Sequence, residues 1–169
     1  MNKRWFAIIK ILVILLPLGL GLWLINKNVP VYGDLVINAD FQHAQGALSL
    51  IGPEIRTKYQ DGVLAILESP VYFDLRSLPW FKAARIYLTF KSQGAALEGL
   101  APQVGPGWQY QLIKPMVIMD LDDGWQKAVF EFNLTEIYQA KNVKRFLIST
   151  IPQTDGGLLI KDLTIILVR

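Results

Sequence analysis

Six polar or aromatic side chains are best placed to contact a ligand, because each alternates with apolar residues along a predicted strand. Arg85 and Tyr87, for example, alternate with Ile86 and Leu88. The whole set is Arg85, Tyr87, Gln109, Gln111, Lys127 and Glu131. Amides, charges and a ring on one surface can hydrogen-bond to a ligand and stack on it. The pattern predicts a ligand surface, with an ordinary solvated sheet face as the alternative.

Residue types that support catalysis are sparse in this chain. There is no cysteine and one histidine, His43, which excludes a thiol nucleophile and a multi-histidine zinc site within one chain. The sequence also lacks a Gly-x-Ser-x-Gly elbow and a glycine-rich phosphate loop. The acidic run 120–124 lacks the ligand spacing of an EF-hand and is interpreted as a turn. These observations argue against an enzyme, which ranks third among the functions considered.

Aromatic residues gather in two places. Trp108 and Tyr110 share one face of a predicted strand, so Trp108 is predicted to lie in the core. Trp80 and Phe81 follow Pro79, and this loop is predicted to plug one end of the domain. Exposed rings there would instead suit contact with a partner or a membrane surface.

The first part of the chain has the pattern of a membrane-spanning helix. Trp5 to Ile25 is apolar apart from Lys10, and its length of about 20 residues suffices to cross a bilayer. Lys3 and Arg4 precede it, which predicts a cytoplasmic amino terminus and an extracytoplasmic carboxy-terminal domain. A cleaved signal peptide and a buried core helix are the alternatives. The predicted organisation is a cytoplasmic tip and signal-anchor helix over 1–28, a linker over 29–33, and one domain over 34–169 at the cell membrane.

The net charge of +3 comes from the amino-terminal segment. Beyond residue 28 there are thirteen Lys and Arg residues against fourteen Asp and Glu residues. A nucleic-acid partner is therefore not expected, because it would require basic residues clustered on the domain itself. Lys144-Arg145 is the densest basic pair and is interpreted as part of a solvated loop.

From Asp34 onward the periodicity is that of half-buried strands. The candidates are Asp34–Asn38, Ala47–Ile51, Glu54–Tyr59, Val63–Glu68, Val71–Leu75, Arg85–Lys91, Trp108–Ile113, Lys127–Leu134, Lys144–Ile151 and Leu158–Val168. Many short strands separated by turn residues predict an all-β fold, an antiparallel two-sheet β-sandwich. A capping-box pattern at Asn133 predicts a single helical turn reaching Lys141.

Two segments carry a resemblance to a known architecture. Leu35-Val36-Ile37-Asn38-Ala39-Asp40-Phe41, followed by Gly46, resembles the opening of galactose-binding-like domains and jelly-roll carbohydrate-binding modules. In that opening, Gln42 stands after Phe41 where an acidic residue is usual. Residues 159–167 resemble the last strand of that family. The resemblance implies one jelly-roll-like module whose first and last strands are neighbours. It also implies a glycan ligand and a structural calcium at Asp40 and Asp162, unless these two carboxylates bond only to a turn and to solvent.

The combined prediction is a membrane-anchored extracytoplasmic module that binds carbohydrate or glycoconjugate at the cell envelope. It predicts no catalysis and, apart from the calcium, no cofactor. Its partners would be the lipid bilayer and a glycan. The alternative is a structural or assembly subunit of an envelope protein complex that packs through sheet edges or through the Trp80 loop.

Overall fold

The computed structural model describes residues 10–21, 33–154 and 156–169. The chain divides into two units, Met1–Leu35 and Val36–Arg169. Residues 10–21 of the first unit are helical. Among the described residues, no helix is both long and apolar enough to cross a membrane. The other parts of the predicted span Trp5 to Ile25, residues 5–9 and 22–25, lie outside the described residues.

The second unit is built from strands arranged in two sheets. They are β1 (Leu35–Asn38), β2 (Thr57–Gln60), β3 (Val63–Ile66), β4 (Val71–Leu75), β5 (Ala83–Ser92), β6 (Ala95–Gly105), β7 (Gln109–Tyr110), β8 (Val117–Asp120), β9 (Gln126–Asn133), β10 (Gln139–Ala140), β11 (Val143–Pro152) and β12 (Leu158–Val168). Short 3-10 turns occupy Glu54–Arg56 and Asp122–Gly124.

The strand order confirms the predicted antiparallel sandwich. A seven-stranded sheet runs β2-β3-β12-β5-β9-β8, and β1 also pairs with β12. A five-stranded sheet runs β10-β11-β6-β7, and β4 pairs with β11. The pairings among β2 to β12 are antiparallel. The Ala39 N–H donates to the Leu163 carbonyl over 2.9 Å, so the opening segment lies beside the last strand, as the resemblance implies.

The core forms because apolar residues occupy every second position of the long strands. Phe130 and Phe132 on β9 face Phe146 and Phe73 of the other sheet, and all four are buried. The Phe73 and Phe146 rings stack with centroids 5.3 Å apart, and Phe132 meets Phe146 edge-on at 5.1 Å. The Phe132–Phe146 contact joins the two sheets, and the Phe73–Phe146 contact links β4 to β11 within one sheet.

Three strands, β6, β8 and β10, were not predicted from the sequence, and β10 falls in the segment predicted as a helical turn. β6 contains Gly99, Pro102 and Gly105 and is buried on both faces along much of its length, so it shows no simple alternation. β8 is exposed at all four positions and has no buried face to impose a pattern. Conversely, the predicted strand Ala47–Ile51 contributes only an isolated bridge from Leu48 to Leu75.

The predicted helical turn from Asn133 to Lys141 is wrong. β9 continues to Asn133, and β10 begins at Gln139. Asn133 Oδ1 does accept from the Thr135 N–H over 3.1 Å, and its amide donates to Glu136. The local hydrogen bonds therefore resemble those of a cap. They close a turn instead, because Leu134 and Ile137 are both buried and Gln139 is drawn into pairing with Lys144.

Candidate ligand-binding face

The structure divides the predicted ligand surface between the two sheets. Arg85, Tyr87, Lys127 and Glu131 lie on the outer face of the seven-stranded sheet, where Arg85 is directly opposite Glu131. Gln109 lies in β7 of the other sheet, and Gln111 follows it. The six residues therefore do not form one surface.

The four residues on the seven-stranded sheet interact mainly with one another. Arg85 Nε donates to Glu131 Oε1 over 2.7 Å, and this hydrogen bond is the main cause of the raised pKa of Arg85. Lys127 Nζ lies 4.9 Å from the centre of the Tyr87 ring. This is the pattern of a solvated sheet face with cross-strand pairs.

The outer face of the five-stranded sheet carries a different set of side chains. Phe146 and Ile148 point into the core, so Arg145 and Leu147, which alternate with them, point outward. The register places Asp74 opposite Arg145 and Tyr72 opposite Leu147. A strand pairing of residues far apart in the sequence thus brings an acid, a base and a ring onto one surface.

Arg145 is the fixed centre of this face. Its Nε and Nη2 donate to the two carboxylate oxygens of Asp74 over 2.7 and 2.8 Å. Its guanidinium carbon lies 4.3 Å from the centre of the Tyr72 ring. The hydrogen bonds to Asp74 raise the pKa of Arg145 well above its usual range. Two parallel hydrogen bonds and a stacked ring hold the guanidinium in a single orientation.

The interpretation of Lys144-Arg145 as a solvated loop is wrong, because both residues belong to β11. Lys144 lies on the inward-facing side of β11 and is only 8% exposed. Its Nζ donates to Gln139 Oε1 over 3.1 Å, and burial lowers its pKa. The two adjacent bases thus face opposite sides of the sheet.

Trp108 is exposed, contrary to the prediction that it lies in the core. It belongs to the turn before β7, and 78% of its surface is accessible. Gln103 Nε2 donates to the carbonyls of Gly105 and Gly107 over 2.9 and 2.7 Å, which fixes the turn. Gly107 has a φ of +74°, a conformation that favours glycine. A tightly held turn therefore presents the indole to solvent, 6.3 Å from the Tyr110 ring.

A groove runs along this face. A cavity of about 470 Å³ is lined by Asp74, Arg76, Trp108, Tyr110, Lys141 and Arg145, among others. A second cavity of about 280 Å³ reaches the loop 44–49 and shares Asp74, Arg76 and Val143 with the first. Because they share these residues, the two cavities are neighbours on one face. We call them together the β4–β11 groove.

Solved structures share this sandwich. A structure of a xylan-binding module, CBM15, matches with a TM-score of 0.52 and 16% identity, covering 81% of this chain and 99% of that module. The chain has the β-sandwich fold of carbohydrate-binding modules. A module described as recognising mannan matches with a TM-score of 0.43 and 12% identity over 82% of this chain and all of that one. The C-terminal CBM6 of a marine laminarinase from Zobellia galactanivorans gives 0.41 and 12%, over 78% and 98%.

Comparison of sequences identifies no related protein. No family model matches the chain, and no curated protein matches it. The likeness to carbohydrate-binding modules therefore lies in the fold.

The two carboxylates implied as calcium ligands both accept hydrogen bonds from nearby residues of the chain. Asp40 Oδ1 accepts from the Gln42 and His43 N–H groups, and Asp40 Oδ2 lies 3.0 Å from His43 Nδ1. These bonds, the Gln42 N–H first, lower the pKa of Asp40. Asp162 Oδ2 accepts from the Thr164 hydroxyl. Within residues 10–21, 33–154 and 156–169, no three His, Cys, Asp or Glu side chains are grouped to hold a metal ion.

The loop around Pro79 is partly the predicted plug. Phe81 is buried, whereas Trp80 remains 46% exposed, with its ring 6.4 Å from that of Phe81. Trp80 lies outside the β4–β11 groove. Trp80 is therefore an exposed tryptophan outside the groove, and its substitution can serve as a control for substitution of Trp108.

Proposed function

We propose that the protein is a non-catalytic carbohydrate-binding module that holds a glycan in the β4–β11 groove. The observation that carries this proposal is the exposed Trp108 ring at the mouth of a groove built on the outer sheet face. A large exposed ring beside a cavity that also presents polar groups is typical of a ligand-binding surface. A sugar suits the site because its C–H face packs against a ring while its hydroxyls bond to polar groups at the rim.

The fixed polar groups of the groove support this role. Asp74 and Arg145 hold each other in place, so they are already oriented before a ligand arrives. Gln103 is similarly fixed beneath the Trp108 turn. A site that needs no reordering loses less conformational entropy on binding and gains affinity accordingly.

The proposal includes a membrane tether. The apolar segment Trp5 to Ile25, with cations at its start, is the sequence feature that supports it. The amino terminus would face the cytoplasm, and the module would lie outside at the cell envelope. A tether raises the local concentration of the module, so that individually weak sites bind a polymer tightly.

One flotation experiment tests the tether and the glycan separately. The full chain is reconstituted into phospholipid vesicles, washed with alkaline carbonate, and floated with labelled xylan, mannan, β-glucan or polygalacturonate. We expect the chain to remain with the vesicles and at least one polysaccharide to float with them. Release of the chain by carbonate would contradict the membrane span. Retention of the chain without any polysaccharide would contradict the glycan function.

A second candidate function, an assembly subunit, is favoured by the edge strand β8. Its apolar residues Val117, Ile118 and Met119 are between 42% and 50% exposed, and no described strand pairs with its other edge. Such an edge invites pairing with another strand. A second copy of the chain fits, because antiparallel pairing would bring Lys114, which lies just before β8, toward Asp120 at the end of β8 in the other copy.

Sedimentation of the full chain in detergent tests this alternative. If β8 pairs with a second copy, the wild-type chain should dimerise as its concentration rises, and Ile118→Lys should remain monomeric because the new charge opposes edge pairing. Lys58→Gln, on β2 at the opposite edge of the same sheet, is the control and should not change the dimer. A wild-type chain that stays monomeric throughout would exclude this use of β8.

A further inference from the structure

We infer that the β4–β11 groove selects anionic glycans, and that Arg76 and Lys141 bind the carboxylates of a uronate-containing chain. This inference rests on the proposed carbohydrate-binding function and names its substrate class. Its basis is two cations that line the groove and have no side-chain partner among the described residues.

The charges in the groove do not cancel. Asp74 and Arg145 neutralise each other through two hydrogen bonds. Arg76 and Lys141 make no side-chain hydrogen bond or ion pair with any residue that the structure describes, and both are exposed. An unpaired cation beside an ordered polar surface favours an anionic ligand group. The groove therefore offers two positive charges in excess.

The domain as a whole carries no such excess. The chain beyond residue 28 carries thirteen basic and fourteen acidic residues, so a random surface would be slightly negative. Glu98 belongs to a different part of β6, does not line the groove, and accepts a hydrogen bond from the Ser149 hydroxyl. The two excess charges of the groove are therefore not a consequence of a basic domain.

The backbone that carries each cation is held by hydrogen bonding or by a tight turn. The Arg76 N–H donates to the Ala47 carbonyl over 2.8 Å, directly after β4. Lys141 and Asn142 form the two-residue turn between β10 and β11, with φ values of +50° and +66°. Positive φ at both positions is the geometry of a tight hairpin turn. The backbone at the end of β4 thus positions Arg76 at the groove, and the β10–β11 turn positions Lys141 there.

The shape of the groove suits a polymer. Arg76 lines both cavities, whereas Trp108 and Lys141 line only the larger one. A chain lying along both cavities would stack a ring on Trp108 and then pass the cations. Guanidinium binds a planar carboxylate through two parallel hydrogen bonds, which a neutral hydroxymethyl group cannot form. A uronate chain presents such a carboxylate on successive sugars.

Calorimetry with matched polysaccharides tests this inference. The full chain is kept in a nonionic detergent without a sugar headgroup, and is titrated with polygalacturonate, alginate and glucuronoxylan. Each is compared with its carboxyl-reduced form, which keeps the backbone and removes the charge. We expect at least one uronate chain to bind about tenfold more tightly than its reduced form, with the preference falling as salt rises.

Variants separate the two cations from general electrostatic attraction. Arg76→Gln combined with Lys141→Gln should remove most of the tenfold preference, because it weakens binding of the uronate form far more than binding of the reduced form. Lys58→Gln combined with Lys161→Gln removes the same charge from the seven-stranded sheet and should preserve the preference. Equal losses in both double variants would overturn the assignment to Arg76 and Lys141.

The outcomes also distinguish the inference from the function on which it rests. Equal affinity for uronate and reduced forms would overturn the inference and leave the carbohydrate-binding function standing. Failure of the folded chain to bind any of the six polysaccharides, and also neutral xylan, mannan and β-glucan, would overturn both.

Discussion

Trp108→Ala is expected to weaken glycan binding by about 30-fold without lowering the stability of the fold. A tryptophan that dominates the contacts of a binding site contributes about 2 kcal/mol, which corresponds to that factor. Because the indole is 78% exposed, its removal should change the free energy of unfolding by less than about 0.5 kcal/mol. Calorimetric titration and thermal unfolding of the same preparations measure both quantities.

Three control variants make the result specific to the β4–β11 groove. Trp108→Phe retains a ring and should recover much of the affinity. Trp80→Ala removes an exposed tryptophan outside the groove and should bind like the wild type. Tyr87→Ala tests the surface on the seven-stranded sheet. If Tyr87→Ala weakens binding and Trp108→Ala does not, the ligand lies on that sheet instead.

The fold could be predicted from the sequence wherever one strand face is buried and the other is wet. β5 and β9 alternate cleanly, and their predicted inward residues, such as Ile86 and Phe130, are fully buried. β6 was not predicted because both of its faces are covered and because it includes Pro102, which normally argues against an interior strand. Burial on both faces removes the alternation on which the prediction depends.

The site was harder to predict than the fold because it depends on pairing between distant residues. Asp74 and Arg145 are 71 positions apart, and only the register of β4 with β11 brings them together. Trp108 was assigned to a strand, whereas it lies in the turn before β7. The glycines at 105 and 107 were a signal for that turn, since Gly107 adopts a positive φ.

Phe146→Ala is expected to lower the free energy of unfolding by about 3–5 kcal/mol, the largest effect on stability that we predict. The Phe146 ring is completely buried and contacts both Phe73 of its own sheet and Phe132 of the facing sheet. Alanine would leave a cavity between the sheets that the surrounding strands can fill only in part. Urea unfolding followed by tryptophan fluorescence and far-ultraviolet circular dichroism measures the loss.

A graded series checks that the effect comes from core packing. Phe146→Leu should cost clearly less than Phe146→Ala, because it fills more of the volume. Phe41→Ala should also cost less, because Phe41 is only half-buried and its ring lies 6.5 Å from Tyr59. A loss below about 1 kcal/mol for Phe146→Ala would contradict the packing described here.

The same variant separates stability from binding. Phe146 neighbours Arg145 in β11 but points to the opposite side of the sheet, so its removal deletes no groove side chain. At a temperature where Phe146→Ala remains folded, its glycan affinity should stay near that of the wild type, in contrast to Trp108→Ala. Loss of affinity in the folded variant would mean that the core holds the Arg145–Asp74 pair in position, and that the groove depends on inter-sheet packing as well as on its own hydrogen bonds.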